Sequence, residues 1–241
     1  MYVQNGATST YSKRCSQKST SKKRGAGQIK RNTYLARVFR PTKTHMILPI
    51  VAYGDPVLKK KAAPITKNYS NLGKLINDMW ETMYAAHGVG LAAPQIGESI
   101  RLFIVDGSPF ARDNSIDNIE QRELRNFKKV FINPEIISYS GPQESFNEGC
   151  LSIPDIREDV TRLNFIEIEY YNENFELVSA EFSGVSSRII QHEYDHIEGI
   201  LFTDKLGPLK KRLLKTKLTQ ISKGKINPDY KMRFPNKSNF H

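Results

Sequence analysis

Cysteine is scarce in this chain of 241 residues: Cys15 and Cys150 are the two it has. Two distant thiols make no disulfide framework, so a reducing compartment is the expectation. No apolar run approaches the roughly 20 residues that cross a bilayer, and a soluble protein is expected. Acid is missing from residues 1–45, which hold eleven Lys or Arg and neither Asp nor Glu. The same segment lacks the apolar core of a secretory signal. What remains there, a Ser-, Thr-, Lys- and Arg-rich stretch, fits an organelle transit extension, with a basic tail of no address as the alternative. No internal repeat is visible.

The formal net charge of +11 is therefore uneven. Residues 46–204 hold fourteen basic and twenty-four acidic residues, and residues 205–241 hold eleven basic residues and Asp229. A negative body lies between two basic ends. That division argues against reading the pI near 9.5 as the mark of a nucleic-acid-binding module, although a basic tail can still meet an anionic surface.

Along the body, Leu72, Leu75, Ile76, Met79 and Met83 fall on one stripe of a helix capped by Asn68 or Ser70 and ended by Gly88. Residues 101–107 and 129–137 read as strands, the second closed by Ser140-Gly141-Pro142. Residues 108–127, polar and charged, read as a solvated loop. Residues 165–182 alternate in two runs around Asn172-Glu173-Asn174, a hairpin. After Gly184 the period turns helical and carries Val185, Ile189, His192 and His196. A last helix is expected over Leu206–Ile221, with Leu206, Leu209, Leu213 and Ile221 as its apolar stripe. Strands followed by helices without βαβ alternation predict an α+β fold: antiparallel sheets around a central metal-binding helix, with a C-terminal helix.

The chemistry concentrates in Gln191-His192-Glu193-Tyr194-Asp195-His196. Helical residues four apart project about 40° apart, so His192 and His196 can aim at one ion. Glu193 lies about 100° around from His192, close enough to reach a water on that ion. This is the arrangement of a hydrolytic metal site. A zinc endopeptidase would take its third ligand downstream. Phe202 stands where one such pattern needs histidine, Glu198 points off the histidine face, Asp204 is too near in sequence and Asp229 lies in a polar tail. Cys150 is the better candidate, although a lone cysteine is more often an inert core residue.

Three stretches, GVGLAAPQIG at 88–97, EGCLSIP at 148–154 and QHEYDH at 191–196, resemble in order the three signature motifs of the peptide deformylases. The resemblance implies Cys150, His192 and His196 as metal ligands and Glu193 as the catalytic carboxylate. It also implies the Gln95 amide and the Leu151 N–H as donors to a tetrahedral oxyanion. The backbone at Val89 and Gly90 is implied to pair with the substrate as an added strand. Glu148 and Arg157 are grouped with the peptide contacts, and Arg162 is a candidate brace for Glu148. The implied reaction removes formyl from N-terminal formyl-methionine and releases formate. The donor set suits Fe²⁺, Zn²⁺, Co²⁺ or Ni²⁺, and the family implies Fe²⁺. The domains expected are an extension at 1–45, a catalytic domain at 46–210, and a basic helix and tail at 211–241. The expected partners are formyl-methionyl nascent peptides and, through the basic tail, the ribosome. The expected compartment is an organelle matrix, plastid ahead of mitochondrion, or the cytoplasm if the extension is no signal.

Overall fold

The computed structural model describes residues 45–235. In chain order its elements are β1 (Ile50–Val51), α1 (Leu72–Ala85), β2 (Gly90–Ala92), β3 (Leu102–Asp106), α2 (Asn118–Leu124), β4 (Lys128–Cys150), β5 (Ile153–Tyr171), β6 (Leu177–Ser183), α3 (Gly184–Ile197), α4 (Pro208–Ser222) and β7 (Met232–Arg233). The transit reading falls on residues outside this range. Among the described residues no helix is long and apolar enough to cross a membrane.

An antiparallel sheet in the order β2-β3-β4-β5-β6 forms the scaffold. Its β3 is an unbroken apolar run because both of its faces are covered. Phe103 and Val105 pack with Ile189 and Ile190 of α3, whereas Leu102 and Ile104 pack with Met79 and Met83 of α1. Helix α3 thus lies on one side of the central strands and α1 on the other, and the predicted α+β class is observed. A separate parallel pair, β1 with β7, matches Ile50 to Met232 and Val51 to Arg233.

Several expectations change. Residues 108–127 are no solvated loop. Asp117 caps α2 by accepting from the amides of Ile119 and Glu120, and Phe110, Ala111, Leu124 and Phe127 enter the core beside Val185 and Ile189. Four apolar residues at irregular spacing anchor a segment whose polar majority faces solvent. Ser140-Gly141-Pro142 does not end β4. The strand crosses it through a register shift between Ser140 and Gln143, with Gly141 at a φ of 78° that a side chain would resist. In α4 the inward residues are Leu214, Leu218 and Ile221, while Leu209 and Leu213 are 72% and 71% exposed. Adjacent helical residues point about 100° apart, so Leu213 and Leu214 cannot both face the body. The helix also runs unbroken through the boundary drawn at residue 210, and α1 starts at Leu72, just after both of its expected caps.

Phe131 fixes the centre of the α3 side, with ring centroids 4.7 Å from Phe103 and 4.3 Å from Tyr170. Phe131→Ala is expected to cost about 3–5 kcal/mol of stability, read as a lowered urea midpoint with an unchanged m-value.

Candidate metal centre

The strand-to-helix corner at Ser183-Gly184 starts the site. Gly184 takes a φ of 56°, and the Val185 amide donates to Glu120 of α2 at 2.6 Å, which secures the first turn of α3. The helix buries Ile189, Ile190 and Ile197 and, on its inward side near the C-terminal end, also buries His192, Glu193 and His196. Facing them, β4 ends at Cys150. The chain reverses through Leu151 and Ser152, and Cys150 pairs with Ile153. All four residues of this turn are buried.

One ligand atom from each of Cys150, His192 and His196 lies within 4.8 Å of the others. The Cys150 Sγ is 3.3 Å from the His196 Nε2. The His192 Nε2 is buried with no hydrogen-bond partner, while its Nδ1 lies 2.9 Å from Glu148. With the Nδ1 proton donated to that carboxylate, Nε2 is left with its lone pair for an ion. An orphaned imidazole nitrogen beside a thiol and a second imidazole is the donor set of a divalent transition metal with one position open. Burial opposes charge on His192, yet Cys150 and Glu148 push its pKa up to about 9, while burial first and the His192 charge second drive His196 well below the usual imidazole value. A cation bound here would have to displace the His192 proton that Cys150 and Glu148 favour.

Glu148 is the hub behind the ligands. Burial alone would raise its pKa, but Arg162 and His192 hold it well below the usual carboxylate range. Arg162 grips it bidentately at 2.7 and 2.9 Å, and Arg188 adds a contact at 3.2 Å. Arg162 also donates to Asp195 at 2.6 Å, and Asp195 meets Lys205 at 3.2 Å. The grouping of Glu148 with peptide contacts is therefore corrected. It is wholly buried and spends its oxygens on His192 and the arginines, and the Arg162 brace is present. Arg188 and Asp195 were not singled out from the sequence. Arg188 stands one turn before His192, a helical spacing that marks a shared face but names no partner.

Around the ligands, Gln95 is buried in a 3-10 turn, Ala93–Ile96. Its Oε1 accepts from the Ala92 amide at 2.8 Å, which turns its Nε2 toward the Cys150 Sγ at 3.5 Å and the Ser152 Oγ at 3.4 Å. Gly90 begins β2, the edge strand. A Cβ built there would overlap the Glu193 carboxylate, with the Glu193 Cδ at 2.7 Å, so the missing side chain is the room that Glu193 occupies. The Val89 side chain belongs to the core, and its carbonyl accepts from Asp106 at 2.8 Å. Arg157 donates to Asn147 across the β4–β5 ladder. The downstream acids are engaged or exposed: Glu198 meets Lys61 and Arg101, Asp204 meets Lys59, and the Asp229 side chain is 76% exposed.

Comparison with known proteins bears on the same residues. Residues 47–212 match the family model described as Polypeptide deformylase. A peptide deformylase of Christiangramia forsetii is 62% identical over 191 residues, 79% of this chain and 97% of that protein. The crystal structure of a peptide deformylase from Legionella pneumophila aligns with a TM-score of 0.62 at 35% identity, covering 75% of this chain and 98% of that one. The structure of the Thermotoga maritima peptide deformylase aligns with a TM-score of 0.59 at 40% identity, covering 68% of this chain and all of that one.

Cys150→Ser separates an upstream from a downstream third ligand. The variant is expected to fold yet to retain less than about a tenth of an equivalent of metal after dialysis against a chelator, by plasma mass spectrometry. A site completed by a downstream acid would keep its ion.

Proposed function

The chain belongs to the polypeptide deformylase family, and on that premise we propose that it removes the formyl group from the N-terminal formyl-methionine of new polypeptides, releasing formate and a free amine. The observation that carries this reading is the buried convergence of Cys150, His192 and His196 with Gln95 and Glu193 beside the edge strand β2. Cys150, His192 and His196 would hold a divalent ion, Fe²⁺ in our reading with Zn²⁺, Co²⁺ or Ni²⁺ as substitutes, which when bound would supply an acidified water and polarise the formyl carbonyl.

The chain's own residues do the rest. Glu193 takes the proton of the attacking water and later hands it to the leaving amine. The Gln95 Nε2 and the Leu151 N–H donate to the oxygen that becomes negative as the formyl carbon turns tetrahedral. The peptide lies along β2 as an added strand, its backbone paired near Gly90. Burial of Glu193, Gln95 and Leu151 keeps bulk water from competing for these hydrogen bonds.

The basic C-terminal region is proposed to meet the ribosome, where nascent chains emerge. Arg212, Lys215 and Lys217 are exposed on α4. For the compartment we keep the extension at 1–45 as a targeting segment in our proposal.

Anaerobically purified protein is expected to release formate from formyl-Met-Ala-Ser, and Glu193→Ala to lower kcat by about 10²–10⁴-fold with metal content unchanged. Cleavage of an internal amide instead would support the endopeptidase reading. Cosedimentation with ribosomes is expected to fall as salt rises and to be lost in the triple variant Arg212→Glu, Lys215→Glu, Lys217→Glu. Binding indifferent to salt overturns the contact.

A further inference from the structure

We infer that Tyr230 is a positioning residue for the hydrolytic site, holding the Leu151 carbonyl so that the turn after Cys150 keeps one orientation. This rests on the reading that the Leu151 N–H and the Gln95 amide receive the oxyanion.

The turn at Cys150-Leu151-Ser152-Ile153 has two tasks at once. It delivers a sulfur to the ion, and it aims a backbone N–H at the reacting carbonyl. The turn's own carbonyls are buried and need donors. The donors come from outside the sheet. The Leu151 carbonyl accepts from the Tyr230 hydroxyl at 2.8 Å, and the Ser152 carbonyl accepts from the Tyr53 amide at 2.9 Å. Tyr53 follows β1 by two residues, and Tyr230 precedes β7 by two. These strands pair with each other, with the Ile50 amide on the Lys231 carbonyl at 2.9 Å and the Ala52 amide on the Arg233 carbonyl at 2.8 Å. The parallel β1–β7 pair is a bracket, and each arm holds one carbonyl of the turn.

The bracket reaches further through Gln95. Its Nε2 lies 3.4 Å from the Ser152 Oγ, so the amide on one side of the oxyanion is referenced to the same turn that carries the N–H on the other. A turn that rotates loses both donors together. The Tyr230 ring packs against the α1 side of the core, and this packing would survive as phenylalanine. The hydroxyl is the part that packing does not explain.

Tyr230→Phe in the full-length, metal-loaded enzyme isolates that hydroxyl. The expected result is a fall in kcat for formyl-Met-Ala-Ser of about three- to tenfold, the scale of one neutral hydrogen bond, with KM and metal content unchanged. Incorporation of 3-fluorotyrosine at position 230, which keeps the donor, should restore kcat. Amide hydrogen exchange over residues 150–153 should quicken in the phenylalanine variant and not in the fluorotyrosine protein. An active wild type whose kcat survives Tyr230→Phe overturns the inference. A wild type that releases no formate overturns the functional reading instead, and the exchange arm then decides the bracket alone: wild-type exchange rates in Tyr230→Phe would sink it.

Discussion

A carboxylate with no access to water has to find its counter-charges within the protein, and Glu148 finds three cationic or proton-donating groups: Arg162, Arg188 and His192. An ionised group so deep is tolerable only when nearly every lone pair is matched. The match dictates the rest of the centre. Glu148 stands two residues before Cys150, so the strand that brings the sulfur also brings the acceptor that orients the opposing imidazole. Arg162, on β5, ties this strand end to Asp195 on α3. One ionic cluster thereby fixes the distance between a sheet and a helix, and the ligands sit at its front.

Rigidity of that kind is bought by few residues because α3 faces two ways. Its Ile189, Ile190 and Ile197 are locked in the aromatic and aliphatic core with Phe103, Phe131 and Ile168, while the histidines project from the remaining arc. The Val185 amide is held by Glu120 from α2, so the 108–127 segment secures the start of the same helix. Movement at either end of α3 would reach the ligands, and each end is tied to a different part of the chain.

Much of this was legible in the sequence, for definite reasons. His192, Glu193 and His196 were readable because a helical spacing of four carries geometry by itself, and Cys150 because the downstream alternatives failed one by one. The hairpin around residue 173 was readable from alternation, and it forms as β5 and β6. Other features were hidden for equally physical reasons. The phase of α4 was ambiguous because Leu209, Leu213 and Leu214 support two apolar faces, and only the surface available for packing selects one. Gly141-Pro142 looks like a terminator locally, yet a register shift absorbs it within a ladder whose length no window reveals. The Arg162 brace on Glu148 was anticipated, but Arg188 arrives from forty residues away, and no local spacing announces it. The Tyr230 contact spans 79 residues and leaves no periodic trace.

Gly90 opens β2, one of the two edge strands of the main sheet, and its missing side chain is the room that Glu193 occupies. A larger residue at position 90 would have to displace that carboxylate or the helix that carries it, and the same helix carries His192 and His196. One absent methyl group thus sets how closely sheet and helix approach at this corner.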